Sequence, residues 1–253
     1  MTIVVEGVTI SYGPVVALDD VTCRFDDGTA TALVGPNGSG KTTLLHVLAG
    51  LEVPARGRVA PAPAAGSVAY VPQQPGRGHW IPLTAGEVLA MGRYGRRGLL
   101  GRLRGEDYRR MAASAERLEV ADVLDRQYGS LSGGLRQRLL VAQALAQDAP
   151  TLLLDEPITG LDLASQQRIL EVIAEETAAG RVVVFSTHHL DEARRSDRAL
   201  LLAGRVVADG VPEEVLTSEL LRHAYGDRVL SSGGAEAVAI DDHGHGSAAH
   251  GGT

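Results

Sequence analysis

The chain has 253 residues and a formal net charge of −7, which leaves room for one or two domains. Its composition, 44% hydrophobic and 22% charged, is that of an ordinary globular protein and excludes a fibrous or wholly disordered one. The acidic balance argues against bulk affinity for nucleic acid, because that affinity needs Lys and Arg to neutralise phosphates. The one cysteine, Cys23, excludes an internal disulfide and a CxxC metal site.

The sequence gives no sign of export or of a membrane span. No apolar run reaches the ~20 residues that a membrane-spanning helix needs. The first ten residues lack the basic start and the apolar core of a signal peptide. We therefore expect any role at a membrane to be peripheral.

The predicted elements begin with an antiparallel β layer. Apolar and polar residues alternate in IVVEGVTISY and again in VTCRF, as they do in paired strands with one buried face. A short apolar strand, TATALVG, then leads through a glycine-rich loop into the helical pattern KTTLLHVLAGL. Residues 54–66 are rich in Pro, Ala and Gly, which predicts a surface connection before the strand SVAYVPQ.

The rest of the chain is typical of an α/β protein. Helical periodicity over about residues 76–135 predicts an inserted helical subdomain. After it, strands such as TLLLD and RVVVFST alternate with helices, which predicts a mainly parallel sheet. The composition of residues 229–253 is dominated by Gly, Ala, Ser, Asp and His, and we expect a disordered tail there.

A phosphate-binding loop is the strongest motif. Residues 35–42 match the pattern G-x-x-x-x-G-K-[ST], in which glycines let backbone N–H groups and the start of the next helix face one phosphate. Lys41 would add a point charge for the β and γ phosphates, and it is the single lysine among 24 basic residues. A glycine turn before a helix would not require that lysine. The predicted nucleotide-binding residues of the loop are Gly35, Pro36, Asn37, Gly38, Ser39, Gly40, Lys41, Thr42 and Thr43.

Two further motifs are ambiguous when taken alone. The strand TLLLD delivers Asp155 at its end with Glu156 beside it, and such carboxylates can hold Mg²⁺ and activate water. Adjacent acids are about as common at a simple helix start. The segment LSGG places Ser132 at the N-cap of a helix whose terminus can bind an anion, although SGG is also a common turn.

In chain order, the phosphate loop, VPQ, LSGGLRQR, LLLDEP, TGLD and STHH resemble the motifs of the ATP-binding subunit of ABC transporters. The resemblance covers about residues 1–228 and implies one ATP-binding domain, a P-loop NTPase with a RecA-like core that hydrolyses ATP with Mg²⁺. It also implies a homodimer, because each ATP would lie between the phosphate loop of one subunit and the signature segment, LSGG, of the other.

The resemblance assigns catalytic roles to individual residues. It makes Glu156 the general base and His188 the switch histidine that holds the γ-phosphate and the attacking water. Gln73 would sense Mg²⁺, water and the membrane partner, and Tyr12 would stack on adenine.

The same resemblance implies a set of ion and signature contacts. Mg²⁺ would be held through Thr42, Asp155 and Gln73. The ATP of the opposing subunit would be contacted by Ser132, Gly133, Gly134 and Leu135, with Asp162 in the D-loop.

Two positions depart from the family pattern. Leu135 stands where glutamine is usual, and His189 follows the switch histidine where aspartate is usual. Neither change removes a backbone group that the resemblance places in contact with phosphate. Neither removes a side chain that it assigns to proton transfer. We therefore expect an effect on rate rather than loss of activity.

Within the family, HWIPLTAGEVLAMGRYGRRG and LLRHAYG resemble the bacterial manganese and zinc uptake branch. This implies import of a divalent metal ion through a separate multi-span membrane permease, with an extracellular metal-binding protein, and a place at the cytoplasmic face of the cell membrane. Iron-siderophore and vitamin B12 importers share related MGR segments, and an ABC ATPase without a transport role is a further alternative. A soluble P-loop kinase or GTPase is disfavoured by LSGG and STHH.

A local basic stretch remains open to two interpretations. It is either a docking face for the membrane subunit or lipid headgroups, or a solvated helix surface. The stretch lacks acids and contains Arg93, Arg96, Arg97, Arg102 and Arg104.

The histidines of the tail also have two interpretations. His243, His245 and His250 lie close to two aspartates, and imidazole with carboxylate suits weak zinc binding. A solvated linker is favoured, because ordering three flexible side chains costs conformational entropy.

Overall fold

The computed structural model describes residues 2–73, 82–97, 102–226, 229–231 and 238–240. The strands are β1 (Ile3–Tyr12), β2 (Val15–Phe25), β3 (Thr29–Val34), β4 (Arg56–Ala60), β5 (Val68–Val71), β6 (Thr151–Leu154), β7 (Val182–Ser186), β8 (Arg198–Leu202), β9 (Val206–Gly210), β10 (Val229–Ser231) and β11 (Val238–Ile240). The helices are α1 (Lys41–Ala49), α2 (Ala85–Arg97), α3 (Gly105–Arg117), α4 (Gly133–Gln147), α5 (Leu163–Ala178), α6 (Leu190–Ala193), α7 (Pro212–Val215) and α8 (Ser218–Tyr225).

The central sheet has six strands in the order β5-β6-β7-β3-β8-β9. All neighbours pair in parallel except β8 and β9. Every residue of β6 and β7 is buried, as expected for parallel strands that are covered on both faces. The predicted α/β fold with a mainly parallel sheet is confirmed. Because these strands run in parallel, the loops after β5, β6, β7 and β3 meet at one edge of the sheet.

A second sheet, β2-β1-β4, confirms the predicted antiparallel layer. Its inner face packs on α1 through an apolar cluster that includes Val5, Val8, Leu18, Leu44 and Leu45. The strand β4 corrects the prediction of a surface connection over residues 54–66. The first three residues of β4 are exposed, so backbone pairing to β1 holds this strand and the sequence lacks the alternation that marks a buried face.

Between β5 and β6, α2 and α3 pack against α4 through buried apolar side chains such as Leu89, Leu118 and Leu139. This region also corrects the interpretation of the arginine stretch. Arg93 is only 3% exposed, and its Nε donates to Asp107 Oδ1 at 2.8 Å. Its Nη1 donates to the carbonyl of Ala146 at 2.6 Å. Arg93 is therefore a core residue and belongs to neither a docking face nor a solvated surface. The side chains of residues 96 and 97 lie outside the described part of the chain.

Near the end of the chain, β10 and β11 pair antiparallel within the segment 229–253 for which the sequence predicts disorder. The tail histidines lie outside the described residues. Among the helices that the structure describes, none is long and apolar enough to cross a bilayer.

The buried ion pair generates a stability prediction. In Asp107→Ala, Arg93 would keep its charge in the core without its carboxylate, so we expect the free energy of unfolding to fall by about 3–5 kcal/mol. Urea denaturation of the full chain measures this change.

Glu6→Ala is the matched control, because it breaks the exposed pair of Glu6 with Arg58 and exposed pairs contribute little. Equal losses in the two variants would contradict the assignment of Arg93 to the core.

Candidate active site

The loop between β3 and α1 depends on glycine at two positions. A Cβ on Gly35 would lie 2.1 Å from the carbonyl oxygen of Leu202. Gly40 has φ of +96°, and a Cβ there would lie 2.6 Å from the carbonyl oxygen of Ala17. Both contacts are too short for any side chain, so the predicted loop can pack against β2 and β8 only with glycine at these two places.

Lys41, the first residue of α1, directs its ammonium group back over this loop. The side chain is buried, with 7% exposure. Its Nζ donates to the carbonyl of Gly35 at 2.6 Å and to that of Pro36 at 3.1 Å. The single lysine of the chain is thus held at the phosphate loop.

The buried carboxylate of Asp155, which directly follows β6, joins three elements. Asp155 is 1% exposed. Its Oδ2 accepts from Thr42 Oγ1 at 2.8 Å, and its Oδ1 accepts from Ser186 Oγ at 2.5 Å. Ser186 Oγ in turn accepts from the backbone N–H of Glu156 at 2.8 Å. The sequence assigned no role to Ser186, although it is the first residue of STHH.

The three predicted catalytic residues meet at the carboxylate of Glu156. Gln73 Nε2 donates to Glu156 Oε2 at 2.9 Å, and His188 Nδ1 lies 3.7 Å from the same oxygen. Glu156 has φ of +47°, a left-handed conformation that is uncommon for a residue with a side chain. Such backbone strain concentrates at functional sites.

Gln73, Glu156 and residues 37–43 line one open pocket. Its volume is about 570 Å³, which is within the range of small-molecule sites. Tyr12 lies at the pocket, 47% exposed, and its Oη donates to Glu52 Oε1 at 3.2 Å. The lining residues are Tyr12, Val15, Ala17, Asn37, Gly38, Ser39, Gly40, Lys41, Thr42, Thr43, Gln73 and Glu156.

The signature segment forms a separate cluster with the D-loop. Ser132 caps α4, since its Oγ accepts from the N–H of Leu135 at 3.3 Å. Asp162 caps α5 and accepts from both the N–H and the Oγ of Ser165 at 2.9 Å. These hydrogen bonds from Ser165 lower the pKa of Asp162. A Cβ on Gly134 would lie 2.6 Å from Ser165 Oγ and 2.8 Å from Asp162 Oδ2.

None of the described residues of this cluster lines the pocket at the phosphate loop. Within one chain, the structure brings the phosphate loop together with Asp155, Glu156, Gln73 and His188. It does not bring Ser132–Leu135 or Asp162 to that pocket.

Comparison with known proteins agrees with this arrangement. The model of the ABC transporter family matches residues 18–159. The chain belongs to the ABC transporter family. It is 37% identical over 235 residues to a manganese transport system ATP-binding protein of Synechocystis sp., covering 89% of this chain and 90% of that protein. It is also 37% identical to a zinc transport system ATP-binding protein of Treponema pallidum, covering 90% and 88%.

A solved ATP-binding subunit of an ABC transporter superposes with a TM-score of 0.75 at 29% identity, covering 88% of this chain and 95% of that one. Membership of the ABC transporter family confirms the predicted P-loop NTPase fold. It also establishes the chain as an ATPase, with ATP as the ligand of the family.

The contact of Gly134 with the D-loop predicts that the two glycines of the signature segment tolerate alanine differently. Gly134→Ala would place its methyl group against Ser165 and Asp162, so we expect the free energy of unfolding to fall by about 1–3 kcal/mol. Thermal unfolding of the nucleotide-free chain measures this loss.

Gly133→Ala is the control, because a Cβ there meets no heavy atom within 4 Å. We expect no loss of stability in this variant, since alanine is the better helix former. Equal unfolding temperatures for the two variants would contradict the close packing at Gly134.

Proposed function

We propose that this chain is the ATP-hydrolysing subunit of an importer of a divalent metal ion, either zinc or manganese. The observation that carries the proposal is the likeness to manganese and zinc transport ATP-binding proteins over about nine tenths of the chain. This likeness extends beyond the core motifs that all ATPases of the family share. Import of an iron-siderophore complex or vitamin B12, and a role without transport, are the alternatives that the test below separates.

Binding of ATP is attributed to the phosphate loop and Tyr12. The loop N–H groups and the start of α1 would face the phosphates, where their partial positive charge stabilises an anion. Lys41 Nζ already lies beside the loop carbonyls, and a short movement would transfer its charge to the β and γ phosphates. Tyr12, half exposed at the pocket, is positioned to stack on adenine.

Hydrolysis is attributed to Glu156 as general base. Its carboxylate lines the pocket, where it would face a water molecule bound on the γ-phosphate side of the loop. Gln73 donates to this carboxylate and His188 lies beside it, so both residues would orient the water and the terminal phosphate. A carboxylate in this place can accept the proton of the attacking water.

The residues at the phosphate loop also fit Mg²⁺. The hydroxyl of Thr42, the carboxylate of Asp155 and the amide oxygen of Gln73 are hard oxygen ligands of the kind that Mg²⁺ prefers. Thr42 and Asp155 already lie 2.8 Å apart, which places both oxygens beside the phosphate loop. When bound, the ion would neutralise charge on the phosphates.

We propose that a second copy of the chain completes the site. The pocket lacks the signature residues Ser132–Leu135 among its lining, while these residues present the N-terminus of the 15-residue helix α4, a ready anion site. In a homodimer, each signature would face the ATP of the partner. A membrane permease would bind the dimer at the cytoplasmic face of the cell membrane and receive metal from an extracellular binding protein.

Glu156→Gln separates binding from turnover. All groups that contact ATP remain and the base is lost, so we expect ATP-dependent dimers with hydrolysis slowed by about 100-fold or more. Size-exclusion chromatography with ATP and a phosphate-release assay measure the two effects.

Lys41→Ala is the contrasting variant. Loss of a charge-assisted contact should weaken ATP binding by about tenfold or more, as measured by nucleotide titration. Wild-type hydrolysis in Glu156→Gln, or unchanged ATP affinity in Lys41→Ala, would contradict these assignments.

The transported ion can be identified in chelator-starved cells that carry either the intact chain or Glu156→Gln. We expect a selective fall in zinc or manganese with the variant, measured by mass spectrometry across Mn, Fe, Co, Ni, Cu and Zn. Cells carrying Glu6→Ala, a change in an exposed pair away from the pocket, serve as the control. An unchanged metal profile would contradict metal import and favour the siderophore, vitamin or non-transport alternatives.

A further inference from the structure

A second imidazole lies against the proposed switch histidine. The ring centroids of His188 and His189 are 4.1 Å apart and their planes are tilted by 42°. The side chain of His188 is 23% exposed and that of His189 is 49% exposed. His188 also lies beside Glu156. The outer ring therefore covers one side of the histidine that approaches the catalytic carboxylate.

Thr187 holds the backbone of His189, and the ring of His189 lies near the Glu192 carboxylate of α6. Its N–H donates to Thr187 Oγ1 at 2.9 Å, and Thr187 Oγ1 donates to Glu192 Oε2 at 2.6 Å. The other oxygen of this carboxylate, Oε1, lies 4.0 Å from His189 Nε2. Burial raises the pKa of Glu192. These contacts hold the backbone of His189 and place a carboxylate near its ring, while half of the side chain is open to solvent.

The charged groups that line the shallow cavity at His189 come from one side only. Asp191, Glu192 and Arg195 line the shallow cavity at its ring, and the side formed by α5 contributes Gln166, Gln167 and leucines. Glu156 is the charged group beside His188. Among the described residues that line this cavity, α5 therefore supplies no titratable group beside His189.

The sign of a charge at position 189 decides whether the proton affinity of His188 rises or falls. A protonated imidazole at this ring distance disfavours a second positive charge, so it lowers the pKa of His188. An aspartate, the residue that the family pattern has here, would have the opposite effect and would favour the protonated form of His188.

We propose that His189 is a positioning residue that fixes the ring of His188 and lowers its affinity for a proton. This inference rests on the proposed role of His188 in hydrolysis. It makes the departure at position 189 a determinant of the pH at which the ATPase turns over.

The test compares wild type, His189→Phe and His189→Asp, each as the full chain. NMR of the histidine Cε1–H resonances, assigned with His188→Gln, reads the titration of His188 directly. We expect the midpoint of His188 to be lowest in wild type and higher in His189→Phe, which keeps an aromatic ring and removes the charge. The midpoint should be highest in His189→Asp, about one pH unit above wild type. The histidine-dependent limb of the single-turnover hydrolysis profile should move in the same direction.

His223→Asp makes the same change in charge on α8 and should leave the midpoint of His188 in place. Equal midpoints in wild type, His189→Phe and His189→Asp would overturn the proposal, and the first two proteins decide it even if the aspartate variant does not fold. Hydrolysis at the wild-type rate by His188→Gln would contradict the proposed role of His188 in hydrolysis instead. The NMR comparison would remain a valid test of the pairing between the two rings.

Discussion

The arrangement of the active site depends on the burial of one carboxylate. Asp155 is almost fully buried, and an ionised group there is tolerated only when hydrogen bonds replace water. Thr42 from α1 and Ser186 from β7 supply two of them. The same serine receives the backbone N–H of Glu156. The hydrogen bonds around Asp155 therefore fix the phosphate loop, the end of β7 and the proposed base relative to one another.

The parallel sheet makes this convergence possible. Because β5, β6, β7 and β3 run in one direction, the residues that follow them collect at one edge although they are far apart in the chain. Gln73 comes from the loop after β5 and meets Glu156 after β6. His188 follows β7 and lies beside the same carboxylate oxygen. The order of strands, rather than any local motif, brings the three groups together.

The sequence predicts the features that are encoded locally. The phosphate loop, the α1 helix and the apolar strands each carry their own signal in composition and spacing. The errors fall where a distant partner decides the structure. The exposed strand β4 exists because β1 offers an edge for backbone pairing, and Arg93 is buried because Asp107 and a carbonyl of α4 accept its N–H groups. The sequence also does not predict the contact between His188 and His189, because neighbouring residues need not place their rings together.

The signature segment and the proposed base are linked within one chain by a short path. Gly134 packs so closely on Ser165 and Asp162 that the start of α4 cannot shift toward α5 without moving the D-loop. The D-loop in turn follows Glu156 through a tight turn, in which the N–H of Thr159 donates to the carbonyl of Glu156 at 3.4 Å. Glu156 itself is held in a left-handed conformation, which is stable only while its surroundings impose it. In the proposed dimer, a signature segment that moves toward the partner's ATP would therefore act on the proposed base of its own subunit. The two ATP sites would then be coupled through packing rather than through a shared ligand.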